Sequence, residues 1–143
     1  MSAQTVAPVA RRQRGFNLEK WGWLFMRGSG VLLVVLIFGH LFVNLMLGDG
    51  VHQLDFAFIA GKFADPFWQW WDVLMLWLAL IHGGNGMRTI VNDYVTNEKV
   101  RKALVGAIGL AVVLLIVLGT LVVFTFDPCL GDPSGELAKV CAV

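Results

Sequence analysis

Long runs of apolar residues, separated by short polar stretches, set the pattern of this chain. Three runs, at about residues 24–47, 67–91 and 103–126, are each long enough to cross a roughly 30 Å hydrocarbon layer as an α-helix. The pattern therefore predicts an all-α integral membrane protein with three transmembrane helices. A polar arm over residues 1–20 precedes them, and a tail over residues 127–143 follows.

The residues around the apolar runs predict where the elements of the membrane unit, residues 21–126, begin and end. Tryptophans stand at the beginnings of the first and second runs, as is typical of membrane interfaces. Asp65 and Pro66 predict the start of the second helix, because proline suits a first helical turn. Residues 56–60 predict a short helix on the membrane surface.

Lysine and arginine residues predict the orientation. The arm and the second loop are basic, whereas the first loop and the tail carry one lysine each. Positive residues remain on the cytoplasmic side of a membrane. We therefore expect the N-terminus inside and the C-terminus outside, which requires an odd number of spans, such as three.

The composition and motifs of the chain limit the classes of function that it can have. The chain is 57% hydrophobic and 15% charged, whereas soluble domains are about 45–50% apolar and about 25% charged. A net charge of +1 does not suggest a nucleic-acid partner. The sequence has no phosphate-binding loop, dinucleotide fingerprint or zinc-type cysteine pair.

The most informative stretch lies in the second run, where His82 is followed by Gly83, Gly86 and a polar end. An imidazole in hydrocarbon is costly unless it is paired or ligating. Asp93 is eleven residues further on, on the same helix face and about 16 Å nearer the end of the span. One interpretation is a haem ligand above a proton-handling carboxylate. The other is a histidine bonded to a neighbouring helix, with glycines for tight packing.

A second intramembrane histidine, His40, lies in the far half of the first run. Ser29, His40 and Asn44 share one helix face, which must face protein rather than lipid. His40 is either a ligand or a buried hydrogen-bonding group. Arg27 either extends to the interface or pairs with an anionic group such as a haem propionate. His52, in the first loop, is expected to be a solvated surface residue.

The two cysteines, Cys129 and Cys141, both lie in the tail. If the tail is outside, a disulfide between them can persist. Two free thiols are the alternative. Their spacing is not that of a metal site.

These residues together resemble the D-type membrane anchor subunit of succinate dehydrogenase, the succinate:quinone oxidoreductase of respiratory complex II. The resemblance covers all three spans and rests on His82, the small residues after it, and Asp93-Tyr94-Val95. The entrance to the first span, residues 25–30, resembles actinobacterial members. The resemblance implies that His82 is an axial haem b ligand. It also implies that Asp93 and Tyr94 border a quinone site near the iron–sulfur subunit.

His40 departs from the single-haem pattern and matches relatives with two haems that reduce menaquinone. In those relatives the quinone can also react at the distal side. The resemblance then implies two haem b groups, with His82 and His40 binding the iron atoms, and a C-type anchor subunit that supplies the second ligands. The expected residues around the haems are Arg27, Ser29, Gly83, Gly86 and Arg88.

The sequence therefore predicts half of a heterodimeric anchor bundle in a bacterial cytoplasmic membrane, spanning it several times. Its expected role is to pass electrons from succinate oxidation, a step of the tricarboxylic acid cycle, to membrane quinone. The flavoprotein and iron–sulfur subunits would be further partners, and this chain alone would not oxidise succinate. Two alternatives stay open: a haem-free quinone-binding anchor, and a non-redox membrane scaffold or small transporter.

Overall fold

The computed structural model of the chain describes residues 18–127, 129 and 136–142, and this part is all-helical. Most of the N-terminal arm and part of the tail lie outside the described residues. The elements are α1 (Leu18–Leu45), a 3₁₀ turn (Gly50–Gln53), α2 (Phe56–Ala64), α3 (Pro66–Tyr94), α4 (Glu98–Thr125) and α5 (Glu136–Cys141).

The three long helices correspond to the three predicted runs, and local capping fixes where two of them start. The Asp65 carboxylate accepts the Phe67 N–H at 2.8 Å, directly beside Pro66, so α3 begins where the sequence predicted. The Asn97 side chain accepts two main-chain N–H groups and starts α4, one turn earlier than predicted. The short helix expected in the first loop is α2.

The central helix is α3, which packs against both α1 and α4, whereas α1 and α4 have at most a marginal contact with each other. Ser29 meets His82 and Gly39 meets Trp71, so residue numbers rise along α1 as they fall along α3. These two helices are therefore antiparallel.

Glycines permit the close approach of α3 to α4. A Cβ atom at Gly84 would lie 2.6 Å from a methyl group of Val112, and one at Gly119 would lie 2.5 Å from a methyl group of Leu76. A side chain at either position would require Val112 or Leu76 to move, so both glycines are packing positions, as small residues commonly are between membrane helices.

Little of this surface is buried within the chain. The buried apolar side chains of the described part are few: Leu33, Leu36, Ala60, Val73 and Val123. Two helices, Lys20–Leu45 and Glu98–Thr125, are long and apolar enough to cross a membrane, and only 17% and 6% of their most apolar windows are buried. A soluble core helix would be mostly buried, so lipid or a partner must cover these surfaces.

The helix α3 differs from these two because it is interrupted by polar residues. It has 29 residues, about 43 Å at 1.5 Å per residue, which exceeds the hydrocarbon thickness. Its polar groups, including Asp72, His82 and Arg88, keep it from being recognised as a span by composition alone.

The segment after α1 and the tail meet on the same side of the bundle. Gly48 and Gly50 adopt positive φ angles of 62° and 60°, which let the chain turn directly after α1. The helix α5 packs against α2. A disulfide joins Cys129 to Cys141, with the sulfur atoms 1.96 Å apart.

Candidate functional site

The His82 imidazole is bonded to the neighbouring helix. Its Nδ1 atom lies 2.9 Å from the Ser29 hydroxyl oxygen on α1. Ser29 is 5% exposed, so this hydroxyl is buried between the two helices. A Cβ atom at Gly30 would lie 3.4 Å from the His82 ring, at ordinary contact distance. The face shared by Ser29 and Asn44 is buried in protein, as the sequence predicted.

The glycines after His82 divide into two kinds. Gly84 is pressed against α4, as described above, and therefore serves helix packing. A Cβ atom at Gly83 or at Gly86 would meet nothing within 4 Å. Packing within this chain therefore does not require glycine at these two positions. The space beside them is open to a group from outside the chain.

Arg27 and Arg88 line one cleft of about 740 Å³ between α1 and α3. The Arg27 guanidinium lies over the Trp23 ring, 4.0 Å from its centroid. Asn85 and Thr89 also line this cleft, whereas Gly83 and Gly86 do not. The two arginines are thus brought together, but on a different side of α3 from the open glycines.

Asp93 and Tyr94 lie at the last residues of α3 and are exposed, Tyr94 by 81%. Neither side chain makes a hydrogen bond or an ion pair with another described residue. They are therefore not joined to the cleft lined by the arginines. The exposed ring and carboxylate are open to a partner or a ligand.

The second histidine also contacts a neighbouring helix. Nδ1 of His40 lies 3.2 Å from Oδ1 of Asp72 on α3. This oxygen is buried and has no well-aligned hydrogen bond within the described part of the chain. The carboxylate is therefore held close to the imidazole without any other strong partner.

A lysine completes this outer cluster. The Asn44 amide donates to the His40 main-chain carbonyl at 2.7 Å, and the Lys62 ammonium donates to Oδ1 of Asn44 at 2.6 Å. The ammonium also lies 4.0 Å from the centroid of the Trp68 ring. Burial lowers the pKa of Lys62 below its ordinary value of 10.5, while the charge of Asp72 acts in the opposite direction.

An apolar groove of about 610 Å³ runs beside this cluster. Residues from α1, α2, α3 and α4 line it, and His40 and Asp72 supply its ionisable groups. The groove follows from the arrangement of the helices, since α1 and α4 flank α3 without closing over it. A large flat group with a polar centre would fit such a surface.

The described part of the chain contains no group of three or more His, Cys, Asp or Glu side chains that could hold a metal ion. His40 and His82 lie at separate places in the helix bundle, and each contacts a different residue of a neighbouring helix. His52 is exposed in the first loop, in agreement with its predicted surface position.

Several residues of these sites could not be identified from the sequence. In the sequence, Asp72 is one acidic residue near the start of the second apolar run, and Lys62 is the single lysine of the first loop. Asn85 and Thr89 carry no sequence signal beyond their helical spacing from His82. The one available signal was that Lys62 and Asp72 are isolated charges of opposite sign close to the ends of apolar helices.

Comparisons with known proteins agree with the apolar helices. No curated protein sequence matches the chain at a significant level. The model of a protein family described as the succinate dehydrogenase/fumarate reductase transmembrane subunit matches residues 4–134. This match covers most of the 143 residues. The chain therefore belongs to the succinate dehydrogenase/fumarate reductase transmembrane subunit family.

Proposed function

We propose that this chain is the D-type membrane anchor subunit of a succinate dehydrogenase, and that it ligates two haem b groups through His82 and His40. In this function it receives electrons from the iron–sulfur subunit and passes them to menaquinone. Family membership supports the assignment to an oxidoreductase complex. The chain does not itself oxidise succinate, which is the task of the flavoprotein subunit.

One observation carries the proposal: in both intramembrane histidines, Nδ1 contacts a side chain of the neighbouring helix. Nδ1 of His82 lies 2.9 Å from the Ser29 hydroxyl, and Nδ1 of His40 lies 3.2 Å from the Asp72 carboxylate. In both cases Nε2 is the ring nitrogen left for a ligand. Metal-bound histidines generally have this arrangement, with the second nitrogen fixed by a hydroxyl, carbonyl or carboxylate.

The partners of Nδ1 also favour the tautomer that binds iron. The Ser29 hydroxyl can accept the Nδ1 proton of His82 when its own proton is directed at the Met26 carbonyl, which lies 3.5 Å away. An ionised Asp72 can only accept. With these partners each imidazole would carry its proton on Nδ1 and a lone pair on Nε2, which is the tautomer that binds haem iron. For His40 this requires a rotation of the ring that aligns its N–H with Oδ1 of Asp72.

The same contacts support a proposal of two different depths for the two histidines. Because Ser29 meets His82, the distance along α1 from Ser29 to His40 estimates their separation, about 16 Å for eleven residues at 1.5 Å per residue. The ten residues from Asp72 to His82 on α3 give about 15 Å. Haem supplies a one-electron carrier at each level, and two levels form a path across the membrane.

The proposed path requires a second anchor subunit. The chain has three histidines, and the third, His52, is exposed in the loop. The other axial ligand of each iron would therefore come from a C-type partner. The open space beside Gly83 and Gly86 and the groove beside His40 are available for a partner helix or a haem edge.

We further propose that α1, α3 and α4 all cross a bacterial cytoplasmic membrane, with the N-terminus inside. The distribution of lysine and arginine supports this orientation. A disulfide between Cys129 and Cys141 is compatible with a tail on the oxidising side. Arg27 and Arg88 would then be near the inner interface, where they can bind carboxylates such as haem propionates.

The test is a spectrum of the complex purified in mild detergent through this chain. We expect flavoprotein, iron–sulfur and second anchor subunits to co-purify, with two b-type signals in the reduced-minus-oxidised spectrum. His82→Ala and His40→Ala should each remove one signal and spare the other, and His52→Ala is the matched control. If the original complex shows no haem signal, the result supports a haem-free anchor. If no dehydrogenase subunits co-purify, the result supports a non-redox protein.

The quinone site is proposed at the inner end of α3. Asp93 can relay a proton, and Tyr94 can donate a hydrogen bond to a quinone carbonyl. Asp93→Asn and Tyr94→Phe should reduce quinone reductase activity while haem content and succinate oxidation by soluble dyes persist. Unchanged activity in both variants would favour a quinone site at the distal side, beside His40.

A further inference from the structure

We propose that Asp72 is a positioning residue for His40, and that Asp72 and Lys62 set the reduction potential of the haem at this histidine in opposite directions. The inference rests on the proposed function, because it requires His40 to be a haem ligand. It assigns a role to two residues that neither the family match nor the sequence pattern connects with haem.

The first step is the contact between the two side chains. Oδ1 of Asp72 lies 3.2 Å from Nδ1 of His40, and the two residues come from different helices. The side chains are 21% and 35% exposed, and the Oδ1 atom itself is buried. A carboxylate oxygen so placed is costly unless it is paired. Rotation of the imidazole to align its N–H on Oδ1 would satisfy that oxygen.

The second step is the effect on the ligand. A carboxylate that accepts the Nδ1 proton fixes the orientation of the ring and makes Nε2 a stronger base. It also places a negative charge close to the iron. Both effects stabilise the ferric form relative to the ferrous form, since the ferric form has the greater positive charge. Asp72 should therefore lower the reduction potential of this haem.

The third step concerns Lys62, the cation on the other side of the cluster. Its ammonium is held by Oδ1 of Asn44 at 2.6 Å and by the Trp68 ring, and Asn44 is bonded to the His40 main chain. Its charge and that of Asp72 attract each other. A fixed cation disfavours the ferric form, so Lys62 should raise the potential that Asp72 lowers.

The alternative is a purely structural cluster that joins α1, α2 and α3. Both interpretations predict some loss of stability when a member is removed. They differ in what happens to the haem. A structural cluster gives no reason for opposite shifts in potential when a negative and a positive residue are removed.

The experiment is a redox titration of the intact complex, followed through the optical signals of the two haems. Asp72→Asn keeps the side-chain volume and removes the charge, and it should raise the midpoint potential of the haem that His40→Ala removes. Lys62→Met should lower the potential of that same haem. Asp72→Glu restores the carboxylate and should return the potential toward the original value.

Matched controls separate a local effect from general electrostatics. Asp49→Asn removes an exposed carboxylate from the segment between α1 and the 3₁₀ turn, and Lys99→Met removes an exposed lysine from the first turn of α4. Neither should shift either haem as far as the cluster variants do. The haem assigned to His82 should also keep its potential in every variant.

The outcomes distinguish the inference from the proposed function. If His40→Ala retains both haem signals, the ligation itself is wrong. If His40→Ala removes one haem but Asp72→Asn and Lys62→Met leave its potential unchanged, or shift it in the same direction, the positioning role alone is overturned. If Asp72→Asn does not assemble, the direction of the Lys62→Met shift decides: a lower potential supports the inference, and an unchanged or higher one overturns it.

Discussion

Replacement of Ser29 by alanine tests whether its hydroxyl serves a haem ligand or only helix packing. The substitution removes one buried oxygen, 2.9 Å from Nδ1 of His82. Hydrogen bonds between membrane helices contribute about 0.6 kcal/mol on average, equivalent to about threefold in an equilibrium constant. Loss of a group that orients a metal-bound histidine typically costs about 10–100-fold in affinity, or about 1.4–2.8 kcal/mol.

The two interpretations thus predict effects of different size on different quantities. If His82 binds iron, Ser29→Ala should lower the affinity for one haem by about 10–100-fold and change the thermal stability of the haem-depleted complex only slightly. Ser29→Thr, which keeps a hydroxyl, should bind haem like the original protein. Thr125→Ala is the matched control, because the Thr125 hydroxyl bonds to the Leu121 carbonyl within its own helix at 2.6 Å.

The assay is a titration of the haem-depleted complex with haem, followed by the absorbance of the bound form. The reasoning would be refuted if Ser29→Ala bound both haems with affinities within about threefold of the original, the size of the packing effect alone. Equal losses in Ser29→Ala and Thr125→Ala would also refute it, because only the Ser29 hydroxyl contacts a histidine.

Three further predictions concern packing, titration and the tail. Gly84→Ala should destabilise the complex by about 1–3 kcal/mol in thermal unfolding, because its Cβ atom would overlap a side chain of α4. Gly83→Ala should leave the fold intact and act only on haem or partner binding. Equal effects of the two substitutions on stability would contradict this difference. Because burial lowers the pKa of Lys62, the unfolded chain binds more protons than the folded chain at pH values between that pKa and 10.5. The free energy of unfolding should therefore rise with pH across this window, and Lys62→Met should remove the slope. Cys129 and Cys141 should resist a membrane-impermeant thiol reagent until they are reduced, and then react only from outside the cell; labelling of the unreduced protein after denaturation would exclude the disulfide.

The helices were predictable because their signals are local. Each signal acts through neighbouring residues or through lipid. These signals are the apolar runs of span length, Pro66 beside Asp65, and the tryptophans at the interfaces. The predicted ends of the long helices are therefore close to those in the structure. The main differences are at the starts of α1 and α4, which begin at Leu18 and Glu98, before the apolar runs themselves. The Asn97 cap, which hydropathy does not reveal, explains the second of these.

The partners of the histidines were not predictable in the same way. The position of His82 in an apolar run predicts that it needs a polar partner. Which residue is that partner, here Ser29, depends on the register between α1 and α3. The Asp72 contact with His40 depends on the same register. Contacts between helices are long-range in sequence, and one chain without aligned relatives contains little information about them.

The short connection between α3 and α4 has a consequence for biogenesis. Only three residues, 95–97, separate the two helices, and Asn97 already caps the second. Polar groups make α3 a poor substrate for insertion by itself, whereas α4 is among the most apolar parts of the chain. If both helices cross the membrane, as proposed above, the close-packed glycines would let them enter lipid as one helical hairpin in which α4 supplies most of the hydrophobic free energy. A chain released without α4 would then hold α3, and His82 with it, poorly in the bilayer.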